Sequence, residues 1–187
     1  MADLMAQTAA NKTGVNELLK LVDQHGLKTV YAYMQHIQDS AKTSVQNVLA
    51  RLENGEFSYP LESGSTIKVK ITIDKVNLQA CIDFTGTSAQ QNNNLNAPKA
   101  ITQAAVMYVF RCLVDDDVPL NAGCMQALEI IVPEGSILNP RFPAAVVAGN
   151  VETSQAVTNA LFAALGALGS SQGTMNNLTF GNENYQY

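Results

Sequence analysis

The sequence predicts an α+β fold: an N-terminal helical hairpin, then a mostly antiparallel sheet packed with two apolar helices. Three observations carry this expectation. Apolar residues recur at helical spacing in the first third, with Val15, Leu18, Leu19 and Val22 at i, i+3, i+4 and i+7. At Thr66 the period changes to two, where Ile67, Val69, Ile71 and Ile73 alternate with Thr66, Lys68, Lys70 and Thr72. Helical spacing then returns in two apolar stretches, from about Pro98 to Leu113 and from Thr153 to about Leu168. No repeat and no flexible linker interrupts the chain, so residues 1–187 read as one unit, with the hairpin at 1–54 and the sheet plus helices at 55–187.

Each element has a local reason. Gly26 suits the left-handed position that closes the first helix, with Leu27 placed to pack back and His25 at the end where the dipole favours a cation. Val30, Met34, Ile37, Ala41, Val45, Val48 and Leu52 form the stripe of the second helix, which Asn54-Gly55 is expected to end; His36 lies beside the stripe and faces solvent. Asp74 to Asn77 reads as a turn between the Thr66 strand and a second strand, on which Leu78, Ala80, Ile82 and Phe84 alternate. Pro98 suits a helix start, and Ile101, Ala105, Tyr108, Val109 and Cys112 are expected on the inner face of the helix that follows.

Asp115 to Asp117 reads as a solvated cap, because adjacent carboxylates point in different directions. Leu128 to Val132 reads as a short buried strand closed by the turn Pro133-Glu134-Gly135-Ser136, and Ala144 to Ala148 as another small apolar strand. Thr153 and Ser154 are expected to cap the last helix, whose Ala160, Ala163, Ala164 and Ala167 permit close approach to a neighbour. Tyr185-Gln186-Tyr187 reads as part of a strand.

Composition narrows the function classes. The 187 residues are 47% hydrophobic, enough for one filled core. Only 14% are charged, which fits either a surface covered by further protein or an ordinary neutral surface. The net charge of −5, with scattered Lys and Arg, argues against nucleic-acid binding. No apolar run is long enough to span a bilayer, and the start Met1-Ala2-Asp3-Leu4 lacks the pattern of a secretory signal. Cys81, Cys112 and Cys124 are odd in number and without C-x-x-C spacing, so small reduced core residues are expected, and neither His25 nor His36 sits near a cysteine pair to form a zinc site. Gly86-Thr87-Ser88 lacks the lysine and second glycine of a P-loop.

Chemistry is expected in three polar blocks at the ends of rigid elements: Asp83 to Asn96, Asn150 to Gln155, and Ser170 to Asn177. If they converge, Thr85, Gly86, Thr87, Asn94, Asn96, Asn150 and Gln155 offer neutral amides, hydroxyls and backbone groups to a small polar ring. Asp83 and Glu152 are the candidate carboxylates, able to orient water or to act as a base if burial raises the pKa. The competing reading makes the same blocks caps and turns that complete the fold.

Several segments resemble the hydantoinase B / 5-oxoprolinase family in register. They include Asp3-Leu4-Met5-Ala6-Gln7, Ala10-Asn11-Lys12-Thr13-Gly14, Tyr31-Ala32-Tyr33-Met34, Asp83-Phe84-Thr85-Gly86-Thr87 and Asn94-Leu95-Asn96-Ala97-Pro98. Further matches are Val118 to Gly123, Pro133 to Ser136, Pro143 to Val146, Gly149-Asn150 to Gln155, and Gly173 to Asn177. The resemblance implies an internal piece of a larger cytoplasmic, hetero-oligomeric hydrolase, inactive alone. Such an enzyme opens a cyclic amide such as 5-oxoproline or a hydantoin. ATP and a divalent metal are implied for the full complex, none for this piece, with ATP on a hydantoinase A-type partner. A ketone carboxylase subunit, or a scaffold that docks the ATP-binding partner, is the alternative.

Overall fold

A computed structural model describes residues 1–115, 119–167 and 180–185. Two helices, α1 (Ala2–His25) and α2 (Leu27–Leu49), meet at Gly26 alone. Its φ of +81° confirms the need for glycine, but ψ of 145° starts a second helix at once, and Leu27 is left exposed rather than packed back. No residue of α1 is buried, whereas the second half of α2 buries Ala41, Val45 and Leu49. The predicted stripe therefore divides: Met34 and Ile37 are exposed, and only its C-terminal part meets the core.

The second helix ends at Leu49, before Asn54-Gly55. Its last turn is held by Lys75, whose ammonium donates to the carbonyls of Ala50 (3.1 Å) and Leu52. Asn54 instead accepts the Ile73 N–H at 2.8 Å, and Gly55 opens a strand that the sequence pattern did not disclose, β1 (Gly55–Pro60). Glycine is required there because a Cβ would lie 1.8 Å from the Ala164 carbonyl oxygen.

The sheet has the order β1-β2-β3-β4, with β2 at Thr66–Asp74, β3 at Gln79–Asp83 and β4 at Leu128–Ile131. Strands β1 with β2 and β2 with β3 pair antiparallel, while β3 with β4 is parallel. The parallel pair needs a crossover, and α3 (Lys99–Leu113) lies within it. Alternation on β2 and β3 appears as expected: Ile67, Val69, Ile71, Ile73, Ala80, Ile82 and Phe84 are buried on one face. Asp74 closes their turn by accepting the N–H groups of Val76 (2.8 Å) and Asn77 (3.0 Å), and these bonds with the Asn77 amide hold its carboxyl below the ordinary range. Strand β4 is only half-buried rather than buried.

Three expectations fail for physical reasons. The buried face of α3 is Thr102, Ala105, Val106, Val109 and Phe110, so Tyr108 and Cys112 point outward. The helix is apolar on nearly every side, and both faces satisfy the same spacing. Residues 144–148 form turns, not a strand: Ala144 N–H bonds Arg141 at 3.0 Å, Gly149 N–H bonds Val146 at 3.0 Å, and Val147 is exposed. Thr153 and Ser154 do not cap α4 (Ser154–Ala164), because a π-helical turn (Gly149–Thr153) runs straight into it. The Ser154 hydroxyl instead donates to the Asn150 carbonyl at 2.7 Å. The helix ends at Ala164, short of the expected Leu168, while Leu168 itself, the Ser170–Asn177 loop, Asp116, Asp117 and the terminal Gln186-Tyr187 lie outside the described residues.

Candidate functional site

The polar block after β3 divides into two parts with different duties. In the first, Asp83 accepts the Thr85 N–H at 2.8 Å, a local Asx-turn. The Thr87 hydroxyl accepts the Lys68 N–H (3.0 Å) and donates to the Lys68 carbonyl (3.1 Å), and Ser88 exchanges bonds with Thr66 at 2.9 and 3.0 Å. These hydroxyls extend the ladder of β2 after β3 has ended. Gly86 has φ +91° and lies over the Lys68 side chain. By strand alternation Asp83 belongs to the face opposite Phe84, away from the helices, where its register partner is Lys70.

The second part is organised by Asn96, which is fully buried. Its amide oxygen accepts the Gln91 N–H at 2.7 Å, and its NH₂ donates to the carbonyls of Gln91 (3.0 Å), Asn93 (2.9 Å) and Ala145 (2.9 Å). Neighbouring backbone then seats the start of α4: Ala148 N–H bonds the Asn94 carbonyl at 2.9 Å, and the Thr153 hydroxyl donates to the Leu95 carbonyl. Gly149 allows the approach, since a Cβ there would lie 2.1 Å from the Asn96 carbonyl oxygen. Asn94 and Asn96 thus fix the platform on which Asn150 to Gln155 stand.

That platform opens on two clefts. One, of about 460 Å³, lies between α3 and α4, with Tyr108 and Cys112 on one side and Asn150, Ser154, Gln155, Thr158 and Asn159 on the other. The second, of about 520 Å³, lies between α4 and the β1–β2 turn, where Tyr59, Glu62 and Ser63 face Leu95, Glu152, Thr153 and Gln155. Gln155 and Asn159 line both, and the Gln155 NH₂ donates to the Asn159 amide oxygen at 3.3 Å. Volumes of this order suit a small organic molecule. The first cleft offers neutral donors and acceptors over an apolar floor of Ile101, Ala104 and Ala105; the second adds two carboxylates.

Two of the three predicted blocks therefore meet, but only in part. Asn150, Glu152 and Gln155 line the clefts, Asn94 and Asn96 support them from behind, and Asp83, Thr85, Gly86 and Thr87 line neither. Sequence reasoning missed Tyr108, Asn159 and Glu62. Asn159 sits four residues after Gln155 on one helix face, a signal the spacing did contain. Tyr108 was hidden by the wrong phase of α3. Its phenol is pushed above the ordinary range, first by the hydrogen bond with Cys112, then by that side chain's charge and by burial.

Among the described residues no group of three or more His, Cys, Asp and Glu side chains converges, and the Thr87 and Ser88 hydroxyls are engaged by the backbone of β2. No described helix is long and apolar enough to cross a membrane. Cys81, Cys112 and Cys124 are free thiols; Cys81 is pushed up by burial, then by the charges of Glu129 and Asp83.

The α+β unit thus sets neutral amides and two carboxylates around clefts the size of a small molecule. Comparison with known proteins makes the assignment particular. The family model described as Hydantoinase B/oxoprolinase matches residues 1–187. The chain is 44% identical to 5-oxoprolinase 1 of Arabidopsis thaliana and 41% identical to 5-oxoprolinase of Dictyostelium discoideum, in each case over 100% of its length and 16% of theirs. It is 43% identical to 5-oxoprolinase of Saccharomyces cerevisiae, over 97% of the chain and 14% of the relative. The chain belongs to the Hydantoinase B/oxoprolinase family, and spans about one sixth of the length of these relatives. Among solved structures, its fold resembles an ATP-dependent caprolactamase from Pseudomonas jessenii, with a TM-score of 0.67 at 21% identity, over 87% of this chain and 30% of that one. It also resembles an acetone carboxylase, with a TM-score of 0.61 at 16% identity, over 78% and 22% respectively.

Proposed function

We propose that this chain supplies part of the substrate-handling region of a 5-oxoprolinase-type enzyme, which opens a cyclic amide by ATP-dependent hydrolysis of its C–N bond. Family membership supports the reaction class, and the observation that carries the site is the Gln155–Asn159 ridge shared by two clefts. A cyclic amide presents one C=O and one N–H to its surroundings. Gln155, Asn150 and the Tyr108 phenol supply neutral partners for both, without the desolvation cost of burying full charge. Glu152, across the ridge, is the carboxylate placed to orient water, in preference to Asp83 on the open face of the sheet.

ATP is assigned to a hydantoinase A-type partner, in a hetero-oligomer, and the divalent metal to parts of the complex other than the described residues. The chain by itself is inactive on this reading, and its free thiols suit a reducing cytoplasm.

The test is a titration of the ¹⁵N-labelled chain with 5-oxoproline and with hydantoin. Amide shifts are expected at Asn150 to Asn159 and at Tyr108, with none at Thr85 to Thr87. Absence of shifts at both clefts would return the chain to a scaffolding role.

A further inference from the structure

The arm formed by α1 and the first half of α2 is apolar and uncovered. Leu18, Leu21, Val30, Tyr33, Met34 and Ile37 line a groove of about 450 Å³ where the two helices meet. The whole chain exposes 12079 Å², against about 8,700 Å² expected for a compact monomer of 20.0 kDa, a surplus of roughly 3,400 Å². Among the described elements α1 concentrates such surface, with 24 residues and none buried. A surplus of this size exceeds the about 800 Å² that each partner contributes to a standard interface.

The distribution of apolar residues on α1 identifies the kind of partner. At about 100° per residue, Leu21, Leu18, Val15, Leu19 and Met5 spread over roughly 200° of its circumference. A seam between two copies of the arm would need only the narrow stripe of a coiled coil. An arc wider than half the helix requires cover from several elements at once, as inside a larger protein. Charge does not oppose such enclosure: residues 1–49 carry four Lys against four acidic residues (Asp3, Glu17, Asp23, Asp39), so the net charge of −5 resides elsewhere. The relatives supply a body of the required size, since this chain matches only 16% of 5-oxoprolinase 1.

We propose that the α1–α2 arm is an internal docking element whose partner is the remaining polypeptide of a Hydantoinase B/oxoprolinase chain, which encloses α1 and fills the groove. The inference rests on the family reading but not on the cleft assignment. It makes the arm a buried strut of the assembled enzyme, joining the cleft-bearing unit to the larger body.

The experiment is a graft in which this chain replaces the aligned segment of Saccharomyces cerevisiae 5-oxoprolinase. Leu18→Cys and Met34→Cys are introduced singly, with Val76→Cys, at a 90% exposed turn position, as the reference. Maleimide labelling is read residue by residue by mass spectrometry, on the isolated chain and on the graft. The ratio of labelling at 18 and 34 to the reference should fall at least tenfold from the isolated chain to the graft. An unchanged ratio at both sites would overturn the proposal. So would protection of 18 and 34 in the isolated chain that rises with concentration, which would identify a second copy as the occupant. Turnover of 5-oxoproline by the graft is a separate readout, so failure of the enzymatic reading is distinguishable from failure of the docking.

Discussion

The turn after β3 and the entry to α4 are both rich in polar side chains, yet they use them differently. From Asp83 to Ser88 the side chains bond the protein's own backbone, closing a turn and prolonging the β2 ladder. From Asn150 to Asn159 the hydroxyls of Thr153, Ser154 and Thr158 also bond backbone carbonyls, but helix and π-turn carry the backbone itself, and the amides of Asn150, Gln155 and Asn159 line clefts. Polar composition is therefore a poor guide to a site. What separates the two is whether the side chains must close a turn or stand on a helix that has already satisfied the backbone.

The comparison can be broken most severely at the joint between the two regions. Gly149→Ala places a Cβ against the Asn96 carbonyl and should cost about 3 kcal/mol in urea unfolding, with loss of the α4 platform. If the variant keeps full stability, the seating of α4 on the amide loop is wrong.

Asn96→Ala comes next. It leaves the half-buried Gln91 N–H without its acceptor and three carbonyls without the amide's donors, at about 2–3 kcal/mol. Its folded fraction should still bind 5-oxoproline, because Asn96 supports the clefts without lining them. Isothermal denaturation together with the titration separates the two effects.

Gln155→Ala sharpens the contrast from the other side. Affinity for 5-oxoproline should fall about tenfold, equivalent to about 1.4 kcal/mol, with a stability loss of about 1 kcal/mol because the buried Asn159 amide oxygen loses the Gln155 donor. An unchanged affinity would remove the ridge from the site. Thr87→Val should do the reverse with the smallest effect, a stability loss of about 1 kcal/mol with no change in ligand affinity.

Legibility followed how strongly the local pattern was constrained. Strand β2 was readable residue by residue, because alternation with Lys and Thr leaves one face that can be buried. Helix α3 was readable as a helix but not in phase, since Ala104, Ala105, Val106, Met107, Tyr108 and Val109 leave no polar side to orient it. Strand β1 was missed because Gly55-Glu56-Phe57-Ser58-Tyr59-Pro60 is short and ends in proline; its strandhood comes from pairing with β2. Of the residues that line the clefts, Asn150, Glu152 and Gln155 were singled out as a polar block at the end of an expected element. Tyr108, Asn159 and Glu62 were not, because they reach the clefts from separate turns of chain.

By itself the sequence determined the family, the α+β class, the periods of α2, β2 and β3, and the position where glycine was needed to turn the chain at Gly26. These depend on local spacing and on backbone conformation, which neighbouring residues settle among themselves. Only the tertiary structure decided which polar block faces a cleft, which side of α3 is buried, and why Gly55 and Gly149 must lack a side chain. Each of those depends on contacts between residues far apart in the chain, such as Gly149 against Asn96 and Gly55 against Ala164, where the approach of two backbones sets the answer.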